Sequence, residues 1–180
     1  MTTNTLLNQE LLAPVSIGLL ADLMLENSFF LATAESCTGG LIAAACTDIA
    51  GSSAWFERGF VTYSNAAKTE LLGVDAALIA QHGAVSEPVA RAMAFGAVRH
   101  SHALVSVAVT GVAGPTGGSP DKPVGTVWFA WSVCGSLRSE MMRFNGDRAS
   151  VRQATVHHAI SKLLTLLEKK LPWQAGAKTL

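Results

Sequence analysis

The 180-residue sequence predicts one α/β domain with three layers, in which helices cover both faces of a mixed, mostly parallel sheet. Two observations support this prediction. Short apolar runs alternate with helix-like segments through the first two-thirds of the chain, which is typical of βαβ units. Later in the chain, two extended segments flank Cys134-Gly135, a pattern that indicates a β-hairpin. The hairpin implies that one strand of the sheet runs antiparallel to the others.

The helices are predicted from helical spacing of apolar residues and from capping signals. Ser64 and Asp147 can cap helices, and Gly73 can end one. The tripeptide Ser-Glu-Pro at 86–88 combines a capping residue with a proline in the first turn. The helical segments are 14–26, 41–47, 64–72, 76–81, 86–100 and 148–171.

The strands are predicted from short apolar or extended runs bounded by turn residues. The run ALVSVAV at 103–109 is the clearest, because a serine is its single polar residue. The strand segments are 29–34, 55–63, 103–109, 124–133 and 136–144. We expect residues 1–13 to be a flexible N-terminal segment, 14–171 a single domain and 172–180 a C-terminal tail.

Composition and charge exclude several classes of protein. Hydrophobic residues make up 49% of the chain and charged residues only 14%, which argues for a well-buried fold and against disorder. With 13 basic and 13 acidic residues, the chain has no electrostatic reason to bind nucleic acid or an anionic membrane. Its three cysteines include no CxxC pair, so neither a disulfide framework nor a thiolate zinc site is expected. Since no secretory signal or membrane span is recognisable either, we expect a cytoplasmic protein.

Two glycine-rich turns that follow predicted strands are the candidate functional segments. They are ESCTGG at 35–40 and TGVAGPTGG at 110–118. Ligands of open α/β sheets bind beyond the carboxyl ends of the strands, so both turns should face one crevice. The first turn opens a helix, and its backbone N–H groups at 37–40 favour an anion or a developing oxyanion. The second can wrap a phosphate or a flat ring, although neither turn fits a Walker loop or GxGxxG, and either can be a structural turn only.

Ser36 and Cys37 are alternative nucleophiles in the first turn. A serine needs a base, whereas a thiolate is activated at a helix N-terminus, and two neighbours cannot both point into the crevice. Lys68 is the candidate base, because a lysine removed from water loses its proton more readily; the alternative is a solvated helix charge. The five histidines lack the spacing of a base or of metal ligands, so we expect no metal.

Three arginines near the last predicted helix form the candidate phosphate site. Arg148 and Arg152 are four residues apart and share a helix face, and Arg143 precedes them. The alternative is a solvated helix face paired with Asp147. Spacing alone leaves both possibilities open.

Six ordered motifs resemble the CinA C-terminal domain family and, within it, the stand-alone nicotinamide-nucleotide amidases. The resemblance covers roughly residues 14–168. It implies a three-layer α/β/α fold and hydrolysis of the carboxamide of nicotinamide mononucleotide to nicotinic acid mononucleotide and ammonia, a reaction that recycles pyridine nucleotides. The motifs are ATAESCTGG at 32–40, DIAGSSAWFERGFVTYSNAAK at 48–68, GAVSEP at 83–88, TGVAGPTGG at 110–118, KPVGTVWFA at 122–130 and GDRASVRQA at 146–154.

The resemblance also implies a set of site residues. Ser36 and Lys68 would work as a Ser–Lys pair without a metal or another cofactor, and Tyr63 would join them as a catalytic residue. Either Arg148 or Arg152 would meet the phosphate. Together with the two glycine turns, this gives a substrate-binding set of Glu35, Cys37, Thr38, Gly39, Gly40, Thr110, Gly111, Gly114, Arg148 and Arg152.

The expected partner is therefore a small-molecule substrate, nicotinamide mononucleotide, and the expected assembly is a homo-oligomer, with a dimer favoured. No nucleic acid and no membrane are expected as partners. Two other classes of function stay open: a non-catalytic nucleotide-binding module, and a partner protein linked to competence or DNA damage. Ammonia release separates an amidase from the first, and a gel shift at low salt tests direct DNA contact for the second.

Overall fold

The computed structural model describes residues 14–170, so the segments 1–13 and 172–180 and the predicted helix end at Leu171 lie outside the described residues. Within this range, the helices and strands follow one another in the predicted order, with one short 3-10 helix added in the loop at Ser52–Ala54. The elements are α1 (Pro14–Glu26), β1 (Leu31–Glu35), α2 (Leu41–Thr47), β2 (Phe56–Val61), α3 (Asn65–Leu72), α4 (Ala76–His82), α5 (Glu87–Arg99), β3 (Val105–Gly111), β4 (Thr126–Val133), β5 (Ser136–Arg143) and α6 (Arg148–Lys170).

The five strands form one mixed sheet in the order β2-β1-β3-β4-β5. Strand β1 is parallel to its neighbours β2 and β3, whereas β4 is antiparallel to β3 and to β5. Four strands therefore run in one direction and β4 in the other, which confirms the predicted single antiparallel strand. The strand order reverses between β1 and β3, and the carboxyl ends of these two strands are where an open α/β sheet forms its binding crevice.

Two hydrophobic clusters, one on each face of the sheet, confirm the three-layer fold. Alternate residues of β3 enter different clusters: Val105, Val107 and Val109 pack with α1, α2 and α6, and Ala108 packs with α5. Of the helices between residues 14 and 170, none combines the length and the apolar character needed to cross a membrane. Each face of the sheet is thus covered by helices. The carboxyl ends of the strands are therefore where a ligand could bind.

Strands β1 and β3 extend further toward the crevice than the sequence predicts. Glu35 belongs to β1, and Thr110 and Gly111 belong to β3, although hydropathy assigned all three to turns. Glu35 is paired with Val61 and Val109 in the sheet. Backbone pairing between strands, which hydropathy does not report, sets these strand ends.

All three predicted capping residues precede their helices, but only Ser64 and Asp147 cap them through a side-chain hydrogen bond. Ser64 and Asp147 accept hydrogen bonds from backbone N–H groups of α3 and α6, at 3.0 Å and 2.8 Å. The Ser86 hydroxyl does not cap α5; it donates to the Gly83 carbonyl oxygen at 2.8 Å. Ser86 therefore fixes the loop that leads into α5.

Candidate active site

The turn after β1 places Ser36 at the carboxyl end of the sheet. The Ser36 backbone N–H donates to the Val109 carbonyl oxygen at 3.0 Å, which continues the β1–β3 pairing by one residue. Gly39 and Gly40 then adopt φ angles of +62° and +100°, a left-handed conformation that favours glycine. These two glycines allow the chain to turn sharply into α2 and leave the Ser36 side chain partly exposed.

The structure brings together Ser36 and Lys68, the two side chains that the sequence pairs. Lys68 Nζ lies 3.0 Å from Ser36 Oγ and 2.9 Å from the Thr62 carbonyl oxygen. Alternation along β1 explains the approach, because Ala32 and Ala34 face the α5 side of the sheet and Ser36 continues this face toward α3. Ser36 Oγ and Lys68 Nζ thus lie at the hydrogen-bonding distance expected of a nucleophile and its base.

Burial of Lys68 favours the neutral form of its amine, which is the form that can accept a proton. The side chain is only 1% exposed, and removal from water lowers its pKa below the ordinary value. Among residues 14–170, no carboxylate forms an ion pair with it that would restore the charged form. The Thr62 carbonyl can accept one N–H of the amine and so orient its lone pair toward Ser36. The role of Thr62 could not be predicted from the sequence, because a backbone carbonyl leaves no signal in residue type.

Cys37, the alternative nucleophile, lies inside the turn rather than in the crevice. Its side chain is 6% exposed, and burial raises the pKa of its thiol to about 12. A thiol with this pKa stays protonated near neutral pH, and the protonated form is a poor nucleophile. The geometry and the pKa both favour Ser36.

We therefore expect Cys37→Ala to retain activity. Its kcat on the substrate proposed below should fall by less than about tenfold, which corresponds to about 1.4 kcal/mol of transition-state stabilisation. Steady-state kinetics measure this, and thermal unfolding reports separately on the cavity that the substitution creates. If alkylation of the wild-type thiols abolishes turnover and Cys37→Ala is inactive although folded, Cys37 is the nucleophile instead.

Glu35 lies beneath the turn and is wholly buried. Its carboxylate accepts four hydrogen bonds: from Thr38 Oγ1 at 2.7 Å, and from the N–H groups of Gly40, Ile42 and Ala43 at 2.8 to 3.0 Å. An ionised carboxylate is an acceptor only, and each of these partners is a donor. The predicted substrate contacts of Glu35 and of the Gly40 N–H are thus replaced by an internal contact that ties β1 to the start of α2.

This internal contact reduces the number of backbone N–H groups that are available to an oxyanion. Of the four N–H groups at 37–40, that of Gly40 is bonded to Glu35 and that of Gly39 to the Ser36 carbonyl oxygen at 3.1 Å. Among residues 14–170, no backbone carbonyl accepts from the N–H groups of Cys37 and Thr38, and the thiol of Cys37 lies close to both. They are the two donors in this turn that remain to meet an oxyanion.

Tyr63 and Arg148 meet at the mouth of the crevice. Arg148 Nη2 donates to the Tyr63 hydroxyl at 2.8 Å, and Nη1 donates to the Gly114 carbonyl oxygen at 3.0 Å. Tyr63 is 61% exposed and, within the described part of the chain, its hydroxyl has no hydrogen bond to Ser36 or Lys68. Tyr63 thus joins the β2–α3 connection to α6, and its catalytic role stays a prediction.

Arg152 is less exposed than Arg148 and lies beside the turn that carries Ser36. Its Nη2 donates to the Thr38 carbonyl oxygen at 2.8 Å, and a Cβ at Gly39 would lie 3.7 Å from the same nitrogen. The three arginines thus separate: Arg148 is exposed at the mouth, Arg152 contacts the turn, and Arg143 lies exposed at the end of β5. Among residues 14–170, Arg143 forms no hydrogen bond or ion pair through its side chain with the turn that carries Ser36.

In the second glycine turn, Thr110 and Gly111 make contacts that stabilise the fold. Thr110 is buried, and its hydroxyl donates to the Ala84 carbonyl oxygen at 2.9 Å. A Cβ at Gly111 would lie 2.7 Å from the Thr126 carbonyl oxygen, so glycine is needed for the approach of β3 and β4. Both residues thus have structural contacts, and their substrate contacts stay a prediction, whereas the Gly114 carbonyl oxygen accepts from Arg148.

Two further observations concern metal binding and a groove away from Ser36. In the described range, no group of three His, Cys, Asp or Glu side chains is placed to hold a metal ion. A shallow groove of about 420 Å³ between α3 and α4 is lined by Asn65, Ala66, Thr69, Glu70, Ala76, Ile79 and Ala80, and includes neither Ser36 nor Lys68.

Comparisons with known proteins identify relatives of the chain. The family model described as the CinA C-terminal domain matches residues 17–167. A Pseudomonas putida protein named nicotinamide-nucleotide amidohydrolase PncC is 59% identical over 134 residues, which are 74% of this chain and 84% of that protein. The protein of the same name from Escherichia coli strain K12 is 56% identical over 134 residues, 73% of this chain and 80% of its own. A solved structure of the competence/damage inducible protein CihA from Agrobacterium tumefaciens is 46% identical, has a TM-score of 0.80, and covers 84% of this chain and 93% of its own.

Proposed function

The chain belongs to the CinA C-terminal domain family, and we propose that it hydrolyses the carboxamide of nicotinamide mononucleotide to nicotinic acid mononucleotide and ammonia. The name that relatives 56–59% identical to it carry supports this substrate class. The contact that supports the chemistry is the 3.0 Å approach of the buried Lys68 amine to Ser36 Oγ. A serine with a neutral amine at this distance is an activated nucleophile.

In the proposed reaction, Ser36 Oγ attacks the carboxamide carbon while Lys68 Nζ takes the hydroxyl proton. The negative oxygen of the tetrahedral intermediate accepts from the N–H groups of Cys37 and Thr38. When the intermediate collapses, Lys68 returns the proton to the departing nitrogen and ammonia leaves. A water molecule then attacks the ester on Ser36, again with Lys68 as base. Lys68 passes this proton to Ser36 Oγ as the ester bond breaks, which releases the carboxylic acid and restores the serine hydroxyl. The positive pyridinium ring of the substrate makes its amide more electrophilic.

The experiment that tests this function is turnover of nicotinamide mononucleotide by the purified full-length chain. Ammonia release is followed continuously, and the acid product is identified by chromatography. A non-catalytic nucleotide-binding module would bind the mononucleotide without releasing ammonia. Binding without turnover over a broad pH range would overturn the proposal.

We assign Arg148 to the phosphate. It is exposed at the mouth of the crevice, and its two contacts, to Tyr63 and Gly114, use only two of the five N–H groups of a guanidinium. The remaining donors can form charge-assisted hydrogen bonds to a phosphate.

Arg148→Ala should therefore raise KM for nicotinamide mononucleotide. Loss of a charge-assisted contact costs about 1.5–3 kcal/mol, which is about one to two powers of ten in affinity. Nicotinamide riboside, which lacks the phosphate, should be a poor substrate of the wild type and lose little further in the variant. The matched control is Arg138→Ala, which removes an exposed arginine from β5. Equal KM values for the mononucleotide in Arg148→Ala and wild type would place the phosphate elsewhere.

The cellular location that fits this function is the cytoplasm. Cys37, Cys46 and Cys134 are all free thiols, which is the state expected in a reducing compartment.

A further inference from the structure

Arg148 and Arg152 form a pair of positive charges without an anionic partner. They are four residues apart on α6 and therefore adjacent on one helix face. Among residues 14–170, neither guanidinium forms an ion pair with a carboxylate. Like charges at this spacing repel each other, and a bound anion between them removes the repulsion.

Arg152 also carries an unsatisfied donor. Its Nε is buried, and no acceptor for it lies among the residues that the structure describes. A buried donor without an acceptor destabilises its arrangement, so a small shift that brings this N–H to an anionic oxygen is favoured. The unsatisfied Nε and the charges without a carboxylate partner both favour the binding of an anion next to Arg152.

Another nitrogen of the same guanidinium, Nη2, contacts the turn that carries Ser36. Arg152 Nη2 donates to the carbonyl oxygen of Thr38, two residues after Ser36. Thr38 also carries one of the two N–H groups left for the oxyanion, and its hydroxyl donates to Glu35. A guanidinium held by an anion on one side therefore fixes the position of the oxyanion donor on the other.

We propose that Arg152 is a positioning residue that couples occupancy of the phosphate site to the geometry of the Ser36 turn. The proposal rests on the proposed function and deepens it. The substrate phosphate, lying between Arg148 and Arg152, supplies the acceptor that Arg152 Nε lacks and fastens the Thr38 carbonyl through Nη2. Binding energy from the phosphate then raises kcat and not only affinity, as expected when a remote group of the substrate is used to organise the reacting centre.

The coupling predicts that a free dianion activates the truncated substrate. Nicotinamide riboside binds without filling the phosphate site, so inorganic phosphite added separately can fill it. Phosphite should raise kcat/KM of the wild type for nicotinamide riboside by about 5- to 150-fold, the usual range of coupling between two ligand sites. In Arg152→Ala the activation should disappear, and kcat for nicotinamide mononucleotide should fall by more than KM rises. Arg138→Ala should keep the activation.

Each outcome of this experiment decides the proposal. Wild-type enzyme that hydrolyses the mononucleotide but is not activated by phosphite overturns the coupling and leaves the proposed function standing. Equal activation of the wild type and Arg152→Ala overturns the role of Arg152. Absence of turnover of the mononucleotide overturns the proposed function and the coupling with it. If Arg152→Ala does not fold, Arg152→Lys is measured in its place; it keeps the charge but lacks the planar donor group, and retention of full activation in it contradicts the proposal.

Discussion

Replacement of Ser36 by alanine should lower kcat for nicotinamide mononucleotide by about 10⁴-fold or more, the scale seen when a nucleophile is removed from a group of residues that act together. The substitution removes one oxygen that is partly exposed at the end of β1 and touches Lys68. No other nucleophile can take its place, because the neighbouring thiol of Cys37 is buried and its pKa is about 12. Ammonia release measured with a large excess of enzyme gives the residual rate.

The control for this prediction is binding. Ser36→Ala leaves Arg148, Arg152 and the second glycine turn intact, so calorimetry should give a dissociation constant for the mononucleotide close to the wild-type value. Cys37→Ala, measured in parallel, should remain active. A Ser36→Ala enzyme that retains more than a hundredth of wild-type kcat would show that the ester intermediate on Ser36 is not on the pathway.

The fold could be predicted from the sequence because local signals determine its elements, whereas the Ser36–Lys68 pair, 32 positions apart, followed from the resemblance to the family and not from spacing. Alternating apolar runs indicate the layers, and the residues that cap and end α3 fix where the Lys68 side chain emerges. The side of the sheet that the Glu35 side chain faces could not be predicted. Glu35 and Ser36 are neighbours at the end of a strand, so one faces α2 and the other faces α3. Hydropathy does not say which of the two polar side chains is buried.

The contacts at the mouth of the crevice could not be predicted from the sequence. Tyr63 and Arg148 are 85 positions apart, and Arg152 and Thr38 are 114 positions apart. These pairs meet only because α6 packs across the same face of the sheet as α2. Since one residue pattern fits both a solvated helix face and a phosphate site, spacing on α6 alone left Arg148 and Arg152 equivalent. The tertiary structure distinguishes them by exposure and by partner.

Lys68→Met should lower kcat by at least about 10²-fold, the lower bound for loss of general acid–base catalysis. Methionine has a stem of similar volume, so the fold should survive, although the buried Thr62 carbonyl loses its partner. Lys68→Arg should fail almost as badly, because a guanidinium stays protonated and cannot accept the Ser36 proton. Lys169→Met, on an exposed position of α6, is the matched control and should keep wild-type kcat.

The pH dependence follows from the lowered pKa of Lys68. Only the neutral amine can accept a proton, so kcat/KM should rise with pH as Lys68 loses its proton and then level off. Because burial lowers this pKa, the ascending limb should end below the ordinary lysine value of about 10.4. Lys68→Met should lose the limb along with the rate. A Lys68→Arg enzyme with near-normal kcat and an unchanged pH profile would mean that position 68 supplies only positive charge. The base would then have to be sought at Tyr63 or in solvent.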